Sequence, residues 1–159
     1  MNRLFRYVLL VCTLACGSCS GDKEDIAPII KPAIGADIAD LAGEWRLSAW
    51  SGGNDLSKEV YLRLNADRTF TLYQNLVSHG FQQFDGTFSF DSANATIRGS
   101  YSDGTSWGGV YIVGSITQNS MQWQMVGTSD IATYTRTAIP DLTIEPASRA
   151  ALPACKPFL

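Results

Sequence analysis

Short runs of alternating apolar and polar residues fill the chain from Gly43 to Thr137, and they constrain the fold more than any other feature. Each run is bounded by Asn, Asp, Gly or Ser, and no run shows the period of about 3.6 residues that marks an amphipathic helix. Alternation of this kind is typical of β-strands with one buried face. It predicts an all-β domain of eight strands, at residues 44–50, 60–64, 69–73, 84–90, 95–101, 107–117, 121–125 and 131–137.

The short links between the predicted strands indicate an antiparallel up-and-down meander. Closing such a meander into a barrel removes the unpaired edge strands that an open sheet would expose. A sandwich of two sheets is the alternative arrangement. The interior of an eight-stranded barrel is either filled by side chains or just wide enough for one small ligand. The number of strands does not decide between these two possibilities.

A basic segment and a short apolar run, residues 7–15, precede Cys16 and Cys19. This arrangement is typical of a secretory signal, and the run is much shorter than the roughly 20 residues of a permanent membrane span. A cysteine stands where cleavage is expected, between small residues, which resembles the lipobox of bacterial lipoproteins. The resemblance implies a signal peptide at residues 1–18 and lipidation of Cys19, with Cys16 as the alternative and an ordinary signal peptide as the remaining interpretation.

The next segment, residues 19–40, is predicted to be a lipidated tether. Its acidic cluster at residues 22–25 looks like the export tag of surface lipoproteins of the Bacteroidetes, or is a solvated linker. Two prolines favour an extended, polyproline-like spacer up to about Gly35, after which Asp37 can cap a short turn. Because several acyl chains hold a protein durably, we expect it in the cell envelope, at the outer membrane.

Charge and cysteine content disfavour two classes of partner. The chain has 12 basic and 15 acidic residues, and loss of Arg3 and Arg6 with the signal leaves ten basic residues and a net charge of −5. Nucleic acid requires a basic surface, so it is not expected. One of the four cysteines leaves with the signal and one is lipidated, so the paired cysteines of a zinc site are lacking. A disulfide between Cys19 and Cys155 is possible only if Cys16 is the lipidated residue. We expect neither a metal nor another cofactor.

Gly43 and Trp45 open the first predicted strand, and Arg136 closes the last. This calycin-type G-x-W and distant arginine resemble the lipocalin-like lipoproteins of the Bacteroidetes, over about residues 41–140. The resemblance implies a lipocalin barrel in which Trp45 plugs the closed end and Arg136 packs on its ring as a cation–π pair. It implies a fold more than a defined activity. Further similar phrases lie at residues 69–72, 86–88 and 99–105.

The same resemblance places four links around the open mouth of the barrel. They follow strands one, three, five and seven, at residues 51–57, 74–82, 102–106 and 127–130. Apolar side chains on such a rim suggest contact with something outside the core. The predicted rim residues are Leu76, Val77, His79 and Phe81.

The inward-facing residues of the predicted strands suggest a binding site for a small lipophilic molecule, because their apolar lining carries a few hydroxyl or indole groups. As an alternative, these side chains fill the barrel, and the mouth loops with Trp50 and Trp107 bind a protein or glycan while the barrel serves as scaffold. The predicted ligand-binding residues are Leu47, Leu62, Phe70, Leu72, Phe88, Tyr101, Trp123, Met125 and Tyr134.

No set of residues in the chain has the pattern of a catalytic site, so we expect no enzyme. His79 is the single histidine and has no nucleophile motif near it in sequence. Asp85, Asp91 and Asp103 are interpreted as turn formers rather than as paired carboxylates. The tail, residues 141–159, is predicted to be irregular with at most one helical turn.

Overall fold

The computed structural model of the chain describes residues 29–52, 59–76, 80–145 and 158–159. No helix within these ranges is long and apolar enough to cross a membrane. Several predictions fall outside them: the signal peptide, the lipidation cysteines Cys16 and Cys19, the acidic cluster, Val77, His79, Cys155 and the helical turn of the tail.

Eight strands form one closed antiparallel barrel in chain order. β1 pairs with β2 and also with β8, so the sheet has no free edge there. The predicted eight-stranded up-and-down barrel is therefore confirmed, and the sandwich is excluded. A short helix, α1 (Ile38–Leu41), precedes the strands β1 (Gly43–Trp50), β2 (Glu59–Leu64), β3 (Thr69–Asn75), β4 (Gln82–Asp91), β5 (Thr96–Tyr101), β6 (Tyr111–Gly114), β7 (Ser120–Met125) and β8 (Ile131–Arg136).

Burial along the strands follows the predicted alternation. In β3, Phe70 and Leu72 are buried in the barrel while Thr71 and Tyr73 on the outer face are only half-buried. Such a period of two places one set of side chains in the core and the other towards solvent. The core therefore lies inside the barrel, as the sequence predicts.

The closed end of the barrel is built around Trp45. Its indole nitrogen donates a hydrogen bond to the Leu41 carbonyl oxygen at 2.8 Å, so the indole is held by the end of α1. α1 itself begins at a capping box, because Asp37 accepts from the Ala39 amide and the Asp37 amide donates to the Asp40 carboxylate. The predicted cap at Asp37 is confirmed.

Arg136 closes this end across the β1–β8 seam. Its guanidinium carbon lies 4.1 Å from the centre of the Trp45 ring, which confirms the predicted contact. The same guanidinium donates hydrogen bonds to the carbonyl oxygens of Ala42 at 2.8 Å, Gln118 at 2.9 Å and Asp40 at 3.1 Å. Gly43 has φ of +143°, and a Cβ there would overlap the guanidinium, so only glycine leaves room for this arginine.

The sixth strand is shorter than predicted, since it covers Tyr111–Gly114 and not residues 107–117. β5 and β6 pair at only two positions, and ahead of β6 the chain meets β5 in an isolated bridge between Ser100 and Ser106. The Trp107 amide donates a hydrogen bond to the Gly99 carbonyl oxygen at 2.9 Å, which places Trp107 beside Gly99 of β5. A Cβ at Gly99 would overlap the Trp107 indole, so the absence of a side chain at Gly99 makes room for the indole.

The described end of the predicted tether, residues 29–35, packs on the outer face of β6 and β7. The Ala33 amide donates to the Val113 carbonyl oxygen, and the Ile29 amide donates to the side-chain oxygen of Gln124 at 2.7 Å. Ile30 is buried. This corrects the expectation of a spacer that runs to Gly35, because the amides and the apolar side chain find partners on the barrel.

Residues 137–145, the tail strap, lie along the outside of the barrel from its closed end towards its mouth. At the start, the Ile139 amide donates to the Glu44 carboxylate at 2.8 Å. This bond, and the Arg63 guanidinium beside it, hold the pKa of Glu44 below its usual range. At the end of the strap, the Phe81 amide donates to the Thr143 carbonyl oxygen and the Glu145 amide donates to that of Phe81, both at 2.9 Å.

The strap accounts for one predicted rim residue. Phe81 is 9% exposed, and its ring packs against Tyr61 on the outer face of β2, with centroids 5.8 Å apart. Leu76 is half-buried against the core. The expectation that Phe81 reaches an outside partner is therefore corrected, since the chain itself covers this side chain.

The closed end allows a stability test. We expect Arg136→Met to lower the free energy of unfolding by about 2–3 kcal/mol, because three carbonyl oxygens and the Trp45 ring lose their cationic partner. Arg98→Met is the matched control, since Arg98 is exposed and makes one long bond to Ser89, and it should change the value by less than about 0.5 kcal/mol. Urea unfolding followed by tryptophan fluorescence measures both, and equal midpoints for the two variants would contradict the proposed role.

Candidate ligand site in the barrel mouth

Aromatic rings in contact with one another fill the middle of the barrel. The ring centre of Trp107 lies 5.0 Å from that of Phe70 and 5.9 Å from that of Trp123, and Trp123 lies 5.2 Å from Tyr134. The pairs are edge-on or tilted, which is the arrangement that the charge distribution of aromatic rings favours. The centre of the barrel is therefore packed with side chains.

A cavity of about 50 Å³ remains inside the barrel, towards its mouth. It is small beside the roughly 300–1,000 Å³ of typical ligand pockets. As the described residues form it, this cavity is therefore too small for a drug-sized molecule. Its walls are Trp50, Tyr111, Trp123, Met125, Asp130, Ala132, Tyr134 and Phe158.

Phe158 and Leu159 enter the mouth and occupy the space beside this cavity. The Phe158 amide donates to the side-chain oxygen of Gln74 at 2.7 Å, and its ring stands edge-on to Trp50 with centroids 5.3 Å apart. The Tyr101 hydroxyl donates to the main-chain oxygen of Leu159 at 2.9 Å. Leu159 is only 4% exposed and belongs to the core cluster.

Two buried polar groups of the interior have no hydrogen-bond partner among the described residues. They are the Tyr134 hydroxyl, on a side chain with no exposed surface, and the indole nitrogen of Trp107. A buried polar group without a partner costs about 1–3 kcal/mol, so such groups mark places where a water or a ligand atom completes the structure. Tyr134 is also one of the residues that line the cavity.

Burial also raises the pKa of three interior tyrosines. It raises the pKa of Tyr111 to about 12, and it raises that of Tyr134 well above its usual value. Burial likewise raises the pKa of Tyr101, and the neighbouring Tyr111 adds to the shift. All three hydroxyls therefore stay protonated at neutral pH and can donate hydrogen bonds.

Other grooves lined by described residues lie on the outside of the barrel. One of about 560 Å³ follows the β5–β6 seam, where Ser89, Arg98 and Ser106 on its walls are exposed. It is open to solvent along its length, whereas the mouth cavity is enclosed by aromatic side chains. The mouth cavity is therefore the candidate site.

The structure brings four of the nine predicted ligand-binding residues to the mouth. Trp123, Met125 and Tyr134 line the cavity, and Tyr101 contacts Leu159. The other five lie in the core or are packed against it: Leu47, Leu62, Phe70, Leu72 and Phe88.

Several residues of the mouth were not among the predicted ligand-binding residues. Gln74 was placed in a rim link, but β3 continues to Asn75 and Gln74 is a fully buried inward residue. The alternation of Phe70 and Leu72 could have revealed this, because Gln74 continues the same face. Tyr111 starts the shortened β6, and no sequence pattern connects Phe158 with the barrel.

The acidic residues considered for catalysis have structural roles. Asp91 and Asp103 accept hydrogen bonds from amides two residues ahead in their turns, as predicted. Asp85 is a correction, since it lies within β4 and accepts from Thr71 and Gln83 on the outer face. Within the described ranges, no three acidic, histidine or cysteine side chains are grouped as metal ligands.

Comparison with known proteins identifies the family. The model of the lipocalin-like domain family matches residues 41–123, which is just over half of the chain. The chain belongs to the lipocalin-like domain family. The lipocalin-like barrel is also similar to the crystal structure of a lipocalin-like protein from Bacteroides uniformis, with 16% sequence identity, a TM-score of 0.47, and coverage of 62% of this chain and 99% of that chain. No curated protein matches it.

The matched region of the lipocalin-like domain ends at Trp123. Arg136, which completes the closed end, and Phe158 and Leu159, which enter the mouth, lie beyond it. The family match therefore covers most of the barrel and does not extend to the residues that fill its mouth.

Alkaline unfolding tests the burial of the tyrosines. An unfolded tyrosine loses its proton near pH 10, while Tyr111 in the folded barrel keeps it to about pH 12. The folded state then binds more protons than the unfolded state, so the free energy of unfolding should fall as the pH rises from about 10 to about 12, by up to about 1.4 kcal/mol per pH unit for each such tyrosine. Urea unfolding across this range measures the slope.

The variant Tyr134→Phe makes this test specific. It should give a shallower slope than the parent protein, because one tyrosine with a raised pKa is missing. At neutral pH it should leave stability unchanged or raise it by about 1 kcal/mol, since the lost hydroxyl has no partner to lose. A clear loss of stability at neutral pH, with an unchanged alkaline slope, would show that the hydroxyl is already paired.

Proposed function

We propose that this chain is a non-enzymatic binding protein of the cell envelope that holds a small hydrophobic molecule in the mouth half of its barrel. The single observation that carries the proposal is the Tyr134 hydroxyl, which is fully buried and has no partner among the described residues, on a side chain that lines the cavity. Membership of the lipocalin-like family supports a site inside the barrel. The aromatic walls favour an apolar ligand.

The same observation specifies one polar feature of the ligand. Because burial keeps the Tyr134 hydroxyl protonated, the hydroxyl can donate a hydrogen bond. A ligand that carries one acceptor, such as a carboxylate or a carbonyl, would satisfy it inside a wall that is mostly apolar, with Asp130 as its charged member. An acyl chain with a carboxylate at one end has this combination, so octanoate is a suitable probe.

Binding of octanoate tests the ligand site. We expect Tyr134→Phe to weaken octanoate binding about tenfold, because a hydrogen bond to a charged group contributes about 1.5–3 kcal/mol. Tyr73→Phe removes a hydroxyl from the outer face of β3 and is the matched control, so its Kd should equal that of the parent. Isothermal titration calorimetry measures all three, and equal Kd values for the two variants would contradict a ligand contact at Tyr134.

We also propose that the barrel is tied to the outer membrane through acyl chains on Cys19, with Cys16 as the alternative. The support is the sequence resemblance to a lipobox, and both cysteines lie outside the described residues. The described chain begins at Ile29 on the outer face of β7, where its amide meets Gln124. A tether would therefore leave the barrel from its side, and neither the mouth nor the closed end would have to face the lipid.

Lipidation has a direct test. In a bacterial host that processes lipoproteins, Cys19→Ser should abolish the mass of the acylated N-terminus and move the protein out of the membrane fraction, because the modified thiol is missing. Cys16→Ser should leave both unchanged and is the matched control. Mass spectrometry of the membrane fraction distinguishes the outcomes. The reverse pattern assigns the anchor to Cys16, and a parent protein that lacks the acyl mass contradicts the proposed anchor.

A further inference from the structure

We infer that Phe158 and Leu159 are a resident ligand of the barrel mouth, which an external hydrophobic molecule must displace before it binds. The inference rests on the proposed function, because it concerns the same site. It adds that the binding site is occupied by the chain itself, so the tail regulates access to the barrel by competition.

The barrel recognises the main chain of these two residues through two side chains of its inner wall. Gln74, which has no exposed surface, accepts from the Phe158 amide at 2.7 Å, and Tyr101, which is 7% exposed, donates to the main-chain oxygen of Leu159 at 2.9 Å. An acceptor for an amide and a donor for a carbonyl are what an extended peptide requires. The inner wall therefore has the polar groups of a peptide site.

The side chains of the two residues occupy the apolar part of the same site. Leu159 is packed in the core cluster, and Phe158 contacts Trp50 with its ring and forms one wall of the mouth cavity. If these two side chains withdrew, the space they leave would join the cavity that Tyr134 lines. A small hydrophobic molecule would then fit where the present cavity of about 50 Å³ is too small.

The barrel does not depend on this segment for its closure. The eight strands pair in a complete ring, and the β1–β8 seam is held at the far end by Arg136. Phe158 is itself only half-buried. The segment can therefore leave while the ring of strands stays closed, which is the property that separates a resident ligand from a structural core element.

Competition of this kind has a quantitative consequence. When the binding-competent state is only a fraction of the population, the measured Kd equals the intrinsic Kd divided by that fraction. A mouth that is open about one tenth of the time therefore binds an outside ligand about tenfold more weakly than an emptied one. Removing the apolar side chains of the segment should raise affinity for hydrophobic ligands, which is the opposite of what loss of a contact residue does.

The test compares the full chain with its Phe158→Ser/Leu159→Ser variant. We expect octanoate to bind the double variant about tenfold or more tightly than the parent, by isothermal titration calorimetry. Val126→Ser is the matched control, because Val126 lies in the β7–β8 turn at the mouth and is 51% exposed, and its Kd should equal that of the parent. The peptide Lys-Pro-Phe-Leu, the sequence of residues 156–159, should bind the double variant and compete with octanoate.

The outcomes separate this inference from the proposed function. The inference that Phe158 and Leu159 are a resident ligand is overturned if octanoate binds the parent and the double variant with equal affinity. It is also overturned if the peptide does not compete with octanoate. Both results leave the proposed ligand site in place. If the double variant keeps the circular dichroism spectrum and urea midpoint of the parent and still binds no octanoate, that result overturns the proposed function itself. If the double variant does not fold, the single variant Phe158→Ala replaces it, because that change keeps Leu159 in the core. The octanoate Kd of this variant is then compared with that of the parent in the same way.

Discussion

The pairing of β1 with β8 is the constraint on which the rest of the structure depends. It converts a meander with two free edges into a closed ring, and it places Arg136 on the ring of Trp45. The guanidinium then joins three parts of the chain, because its hydrogen bonds reach the end of α1, the start of β1 and the turn before β7. Closure also sets the width of the interior, since an eight-stranded barrel has little freedom in its diameter.

A fixed interior has to be filled, and the two ends of this barrel are filled differently. At the closed end the side chains are apolar or fully bonded, as with the indole of Trp45. At the mouth, Gln74 and Tyr101 bond to Phe158 and Leu159, and the Tyr134 hydroxyl is left without a partner among the described residues. Polar groups of this kind are not needed to pack a core, because an apolar side chain of similar shape costs less. The polar groups on which the proposed binding depends therefore lie in the mouth half.

The sequence predicted the features that depend on neighbours in the chain, and it was wrong where distant segments decide. Alternation gave the strands, and the capping pattern gave the start of α1 at Asp37, because both are set within a few residues. The predicted sixth strand failed at Trp107, since its indole finds space only above Gly99 of another strand. Phe81 was expected at an exposed rim, but the tail strap reaches it from beyond the last strand and covers it.

The amino-acid sequence by itself determined the number of strands and their alternating faces, because a period of two can be recognised locally. The partnership of Trp45 with Arg136 came from the resemblance to lipocalins. Only the tertiary structure decided what occupies the interior. Whether a barrel is hollow depends on side-chain volumes summed across all eight strands, and here also on Phe158 and Leu159, which no periodicity links to the mouth. Their position follows from hydrogen bonds to Gln74 and Tyr101, contacts that exist only once the barrel has closed.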